Sequence, residues 1–175
     1  MTIVKDEPVS VLNIVSVDVV TEIPPDLGAG EFVRVPYSVP TLNLNRKSGV
    51  PNWVVLDGVN TGRFALQEGI YHIRSSMISH QGEAVANGVQ LWLQRDPAGV
   101  NVIEDGFISN GYHPAEAATE LTLNVHGTIQ ISTPTEYEVQ ARCVTAGNNP
   151  QLGNLGAPFP TSGSLTIHRM DFAWN

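Results

Sequence analysis

Residues 121–131 read Leu-Thr-Leu-Asn-Val-His-Gly-Thr-Ile-Gln-Ile, and this stretch decides the class of fold. Apolar and polar residues alternate along it, and Gly127 keeps the two sets in phase. This period of two predicts a β-strand, because the side chains of a helix return to one face only about every 3.6 residues. The apolar set is Leu121, Leu123, Val125, Ile129 and Ile131. The polar set has no charged residue, so we expect another protein surface to cover that face of the strand.

The composition favours a protein that assembles. The chain has 175 residues, 42% of them hydrophobic and only 15% charged, whereas soluble domains average roughly 25% charged residues. A monomer covers its exterior with charge, while subunit contacts are depleted in charge, so the deficit favours assembly over a neutral polar monomer. The net charge of −8 at pH 7 makes nucleic acid and anionic membranes poor partners, because phosphate binding needs clustered Lys and Arg.

From residue 53 onward, short alternating runs are separated by turn residues. Predicted strands cover residues 53–56, 63–66, 70–75, 89–94, 100–103, 107–112, 121–131, 136–144 and 164–170. Residues 145–163 form one long loop rich in Gly, Pro and Asn, which we expect to be functional or held by a partner. No stretch keeps a helical period, and this many short strands joined by turns predicts an all-β fold, a jelly-roll β-sandwich or a related sandwich.

The N-terminal part differs from the rest of the chain. Residues 9–20 have apolar residues on both faces of a predicted strand, which indicates a strand covered on both sides. Residues 23–30 contain two prolines and two glycines and end that strand. We therefore predict an N-terminal arm or set of peripheral strands over residues 1–45 and a jelly-roll domain over residues 46–175. The alternative is that residues 9–20 are the domain's own first strand.

No reaction chemistry follows from the sequence. The five histidines lack the His-x-x-x-His spacing of a zinc site, and no cysteine pair accompanies them. An alternative is that neighbouring strands bring His72, His126 and His168 together, including around a threefold axis. Glu136 and Glu138 share a strand face but define no cleft, so we expect them on a solvated strand edge. We predict no catalytic residue, no metal site and no cofactor.

Several stretches resemble a known family. Residues 64–73, Phe-Ala-Leu-Gln-Glu-Gly-Ile-Tyr-His-Ile, resemble its pattern of apolar strand, turn and Gly-x-Tyr-x-apolar strand. Residues 89–93, 120–131, 137–141 and 164–170 resemble later strands of the same fold. Together, residues 53–172 resemble the jelly roll shared by tumour necrosis factor and the complement globular heads. That resemblance implies a homotrimer. The family's Gly-Asp turn is replaced by residues 133–136, Thr-Pro-Thr-Glu, and no collagen-like stalk is present.

With its N-terminal arm, no signal peptide and Cys143 as its only cysteine, the chain also resembles bacteriophage structural proteins. Such jelly rolls form head decoration (cement) trimers and the tips of tail fibres or spikes. This resemblance implies a virion protein on the capsid surface that binds the major capsid protein or another virion protein and stabilises the head shell. A receptor-binding tip that uses residues 145–163 is the alternative, and a cytokine-like or carbohydrate-binding module is a third hypothesis.

The resemblance also nominates contact residues. The candidate capsid-contact arm comprises the apolar residues Val9, Val11, Leu12, Ile14, Val15 and Val17. The candidate subunit-interface residues are the aromatic side chains Trp92, Tyr137, Phe172 and Trp174, because aromatics are common anchors of subunit contacts. For Trp92 and Tyr137, packing within the core of one chain is the alternative.

Overall fold

A computed structural model describes residues 14–20, 30, 32–35, 53–56, 62–96, 102–116, 118–145, 150–152 and 161–170. These residues form β-strands and connecting turns, and no helix occurs among them. The strands are β1 (Ile14–Val20), β2 (Val33–Arg34), β3 (Val54–Leu56), β4 (Arg63–Leu66), β5 (Gly69–Gln81), β6 (Asn87–Arg95), β7 (Val102–His113), β8 (Thr119–Ile131), β9 (Thr135–Cys143), β10 (Gln151–Leu152) and β11 (Thr161–Arg169).

The strands build two antiparallel sheets. In sheet 1, β1 pairs with β11, β11 with β5, and β5 with β8, while the short β10 pairs with the last part of β5. Sheet 2 has the order β3-β4-β9-β6-β7, and β2 pairs with β9 beyond the end of β4. Among the described strands, β8 and β7 therefore lie at the edges of their sheets. The longest ladder joins β5 to β8 from Gly69–Ile131 to Gln81–Thr119.

One hydrophobic core lies between the two sheets. Tyr71, Ile73 and Met77 of β5 point into it from sheet 1, and Val139 and Ala141 of β9 point into it from sheet 2. All five side chains are buried, and burial of a large apolar side chain stabilises a fold by about 1.5–3 kcal/mol. The alternation of inward-facing and outward-facing residues along β5 and β8 thus holds sheet 1 against sheet 2.

The predicted strand at residues 121–131 is confirmed as β8. Its apolar residues Leu123, Val125, Ile129 and Ile131 are buried, whereas the polar residues between them are exposed. The strand predicted over residues 70–75 is longer than expected, because β5 continues to Gln81. Buried polar residues interrupt the apolar pattern in that extension. The predicted loop at residues 145–163 also contains β10, which pairs with Ser79 and His80.

Part of the predicted arm belongs to sheet 1. β1 pairs with β11 from Ile14–His168 to Val20–Thr161, with an irregularity after Val19. This pairing is the alternative considered from the sequence, in which residues 9–20 supply a strand of the domain. Residues 1–13 and 36–52 lie outside the described residues, and so does the rest of the predicted arm apart from β2 and its neighbours.

Candidate assembly site

The outer side of sheet 1 collects histidines from three strands. His72 of β5 is paired with His168 of β11, and on its other side it faces Thr128 of β8, whose Oγ1 lies 3.4 Å from His72 Nδ1. Two pairs further along the ladder, and next on the same face, Arg74 is opposite His126. These five residues share one face because antiparallel partners in register project to the same side of a sheet. We call them the histidine face.

The surroundings of the histidine face are polar and nearly free of charge at neutral pH. Ser76 and Ser164 hold their hydroxyl oxygens 3.0 Å apart, and Asn124 is exposed beside them on β8. Two acidic residues take register positions on this side among the described residues, since Glu120 pairs with His80 and Asp18 pairs with Ser164. The uncharged side of residues 121–131, expected to be covered, is therefore exposed in a single chain.

A second surface lies on the outer side of sheet 2, next to the β7 edge, where the Arg142 guanidinium donates to Gln90 Oε1 at 2.7 Å. Tyr112 is 63% exposed, Val144 53% and Ile108 47%. Tyr112 pairs with Gly88, and the side chain of Val144 lies beside Gly88 on the same face. Asn110 accepts a hydrogen bond from Gln90 Nε2 at 2.7 Å. We call Ile108, Asn110, Tyr112 and Val144 the edge patch. Clustered exposed apolar side chains of this kind mark contact surfaces.

The outer side of sheet 2 also holds a buried ion cluster that the sequence did not predict. Glu138 is only 2% exposed, so its expected place on a solvated strand edge is wrong. Its Oε2 accepts hydrogen bonds from Arg34 Nε at 2.7 Å and Arg63 Nη2 at 3.3 Å, and its Oε1 accepts one from Gln140 Nε2. Glu136, by contrast, is half exposed and lies 3.9 Å from Arg63. The cluster ties β2 and β4 to β9.

Trp92 and Tyr137, nominated for a subunit contact, are both buried within one chain. Tyr137 lies in the core with its ring stacked on Phe64 at 5.9 Å between centroids. Burial, with a smaller effect of the Glu104 carboxylate, raises the pKa of Tyr137 to about 12. Trp92 lies on the outer side of sheet 2, where the Arg142 guanidinium is 5.5 Å from its ring and its Nε1 donates to Gln94 Oε1 at 3.1 Å.

The remaining nominated residues are placed only in part. Ile14, Val15 and Val17 lie in β1 at register positions opposite His168, Ile167 and Leu165. Val9, Val11, Leu12, Phe172 and Trp174 lie outside the described residues.

A buried polar network joins the two sheets at one end of the sandwich. His113 of β7 is fully buried, with Nε2 3.0 Å from Ser79 Oγ and Nδ1 2.9 Å from Thr119 Oγ1. Burial, with a smaller contribution from His80, lowers the pKa of His113. A serine beside a histidine suggests a nucleophile, but both side chains are inaccessible to a substrate, so the network is structural.

Cys143 and the possible metal ligands form no reactive site among the described residues. Burial raises the pKa of the Cys143 thiol, whose sulfur lies 3.0 Å from the carbonyl oxygen of Thr145. A buried thiol of this kind is a poor nucleophile. No group of three or more His, Cys, Asp or Glu side chains within the described ranges is arranged to hold a metal ion. In the same part of the chain, no helix has the length and apolar character needed to cross a bilayer.

Comparison with known proteins identifies the fold. No family model and no curated protein matches the sequence. Three crystal structures of murine APRIL, at pH 5.0, pH 8.0 and pH 8.5, are similar in structure. Their TM-scores are 0.58, 0.57 and 0.53 at 12%, 11% and 11% sequence identity, and each match covers 90% of this chain and 98% of the APRIL chain. The chain is an all-β protein with the tumour-necrosis-factor-like jelly-roll β-sandwich fold.

Proposed function

We propose that the protein is a non-enzymatic virion structural protein, a homotrimer that decorates and stabilises a capsid shell. The observation that carries the proposal is a pair of exposed surfaces without carboxylates, the histidine face, in which Arg74 is the one arginine, and the edge patch, on a chain whose net charge is −8. An acidic protein that leaves such areas free of carboxylates has surfaces suited to contact with another copy rather than with solvent.

The placement of the two surfaces favours a closed ring of copies. The histidine face lies on the outside of sheet 1, and the edge patch lies on the outside of sheet 2 near β7. Contact between two different surfaces is heterologous, and such contacts generate rings when the rotation between copies closes. The resemblance to the trimeric jelly rolls of tumour necrosis factor and the complement heads sets the expected number at three. The edge patch of one copy would then cover the histidine face of the next.

The capsid role is proposed from the N-terminal segment. β1 is the last described strand on its side of sheet 1, and residues 1–13 join the sandwich directly through it. A segment that includes Val9, Val11 and Leu12 would leave from this edge and could add to a strand of a capsid subunit. A trimer would carry three such segments, and three linked weak contacts bind a capsid more tightly than one contact does.

A receptor-binding tip is the second candidate, because the residue 145–163 stretch is held at the sandwich. Gln151 and Leu152 pair with His80 and Ser79, and Leu152 is buried. Binding residues are often carried on loops attached to a rigid scaffold, and this supports residues 145–163 as the candidate contact segment.

The first test is the mass of the purified chain by light scattering at neutral pH. A trimer is expected for the natural sequence, and Tyr112→Lys should yield a folded monomer because it places a positive charge in the edge patch, against a surface that already carries Arg74. Glu83→Gln, at an exposed site outside both surfaces, is the matched control and should stay trimeric. A monomeric natural chain contradicts the proposal.

The second test separates the capsid role from the receptor role. Removal of residues 1–13 leaves β1 intact and should abolish binding to particles without disturbing the trimer. Replacement of residues 153–160 by a glycine-serine linker should leave particle binding unchanged. If the truncated trimer still occupies particles fully, or if only the loop replacement affects adsorption to cells, the capsid role is wrong.

A further inference from the structure

The histidines of this chain are concentrated on one side of the sandwich. Of the five histidines, His72, His80, His126 and His168 lie on the outer side of sheet 1, and His113 alone is buried between the sheets. Histidine is the side chain that ordinarily gains its charge between pH 5 and 8. The surface proposed for subunit contact is therefore also the side of the sandwich that carries four of the five histidines.

Among the described residues, no carboxylate occupies the register position directly opposite His72, His126 or His168. His168 pairs with Ile14 and His72, His72 pairs with His168 and Thr128, and His126 pairs with Arg74. On the neighbouring strands, Asp18 of β1 pairs with Ser164 and Glu120 of β8 pairs with His80, while Glu68 directly precedes β5, four residues before His72. β10 pairs only with the Ser79–His80 end of β5, and its residues, Gln151 and Leu152, have no charge. Protonation would thus add positive charge beside Arg74.

The edge patch brings no carboxylate either. Ile108, Asn110, Tyr112 and Val144 are all uncharged. Two acidic residues precede the patch on β7. Glu104 is only 18% exposed and lies 3.7 Å from Arg95, whereas Asp105 is exposed and is separated from Ile108 by Gly106 and the buried Phe107. A copy docked through the patch would remove water from the imidazoles of its neighbour without offering them a negative partner.

We propose that acidification separates the copies, because the contact forms only while His72, His126 and His168 are neutral. This inference rests on the proposed trimer. A charged imidazole that loses water without gaining a counter-charge is disfavoured, so protonation shifts the equilibrium towards free chains. Threefold symmetry repeats the effect at every contact, so the transition should be steep.

The test is the mass of the chain by sedimentation velocity at about pH 7.5 and about pH 5.0, on either side of the range in which imidazole titrates. The natural chain should change from trimer to monomer, and near-ultraviolet circular dichroism should show that the monomer stays folded. The variant H72Q/H126Q/H168Q keeps polar side chains at all three places and should stay trimeric at both pH values. H80Q, which alters the histidine beside Glu120, is the matched control and should dissociate like the natural chain.

The outcomes distinguish this inference from the proposed function. A natural chain that is monomeric at about pH 7.5 contradicts the trimer itself. A natural chain that is trimeric at both pH values, or a triple variant that dissociates on acidification as readily as the natural chain, overturns the pH dependence and leaves the trimer in place. Dissociation accompanied by loss of the folded signal also overturns it, because unfolding rather than the contact would then be the cause.

Discussion

The ring of Phe107 lies so close to the backbone of Gly127 that a Cβ atom built on residue 127 would be 2.6 Å from Phe107 Cζ. Phe107 is on β7 and Gly127 on β8, so this approach closes the sandwich where the edges of the two sheets meet. Gly111 of β7 is approached in the same way from β8, because the side chains of Leu121 and Leu123 occupy the space where a Cβ atom of residue 111 would lie. Gly111 on β7 and Gly127 on β8 thus each leave room for a large side chain from the opposite strand.

Gly127→Ala should destabilise the protein by about 1–3 kcal/mol, because the added methyl group displaces a buried aromatic ring. Urea unfolding at one protein concentration measures the change. Gly82→Ala is the control, since an added Cβ there meets nothing within 4 Å, and it should cost far less. Phe107→Leu in the Gly127→Ala background should recover part of the loss. If the two glycine variants are equally stable, the close approach has no energetic role.

Glu138→Gln should destabilise the fold by about 2–4 kcal/mol, because it removes the negative charge that two guanidinium groups share at a buried site. The expected loss of stability is smaller than for a fully buried ion pair, because Arg34 is about a third exposed and solvent screens its charge. Glu136→Gln, at a half-exposed site, should change stability by less than about 1 kcal/mol. Thermal unfolding of both variants gives the comparison. A loss no larger for Glu138→Gln than for Glu136→Gln would contradict the assigned role.

Much of the fold could be predicted from the sequence, because a strand that buries one face has apolar residues at every second position. Residues 121–131 alternate apolar and polar side chains, and they form a strand whose apolar side lies in the core. Residues 89–94 are also a strand, although Trp92 on its outer side is buried as well. The end of β5 was missed because Ser75, Ser79 and Gln81 are buried polar residues, satisfied by hydrogen bonds that no periodicity reveals. For Ser79 and Gln81 these bonds include His113 Nε2 and the amide of Asn87.

The candidate site was less accessible to prediction. Sequence reasoning considered that His72, His126 and His168 could meet, and the register does place them on one face. It nominated aromatic residues for the subunit contact by residue type, and two of these, Trp92 and Tyr137, are buried within the chain. The exposure of Tyr112 follows from the pairing of β7 with β6, which is a long-range property. The burial of Glu138 depends on Arg34 and Arg63, which are distant in sequence.

Alkaline pH should destabilise the fold through Tyr137. Its pKa is raised from 10.0 to about 12 by burial, so the folded chain holds the phenolic proton more tightly than the unfolded chain does. The stabilisation is complete below about pH 10 and is lost as the pH rises towards about 12. Stability measured by urea unfolding should fall through this range, and Tyr137→Phe, which keeps the ring and removes the titration, should show a smaller fall. An equal fall in the variant would exclude Tyr137 as the cause.

Mild acid should weaken the fold itself through His113. Its folded-state pKa lies below the ordinary value of 6.5 because the imidazole is buried, so the unfolded chain binds this proton more readily. Stability is therefore complete well above pH 6.5 and decreases as the pH falls through 6.5 towards the folded-state pKa.

The free energy of unfolding measured between about pH 8 and about pH 5 tests this, since that range spans imidazole titration. His113→Gln should be less stable at neutral pH but show a flatter pH profile, because Gln can bond Ser79 or Thr119 without titrating. The variant H72Q/H126Q/H168Q retains His113, so its folded chains should lose stability in acid as the natural chain does. If His113→Gln leaves the pH profile of stability unchanged and the triple variant flattens it, the histidine face rather than His113 causes the acid sensitivity of the fold.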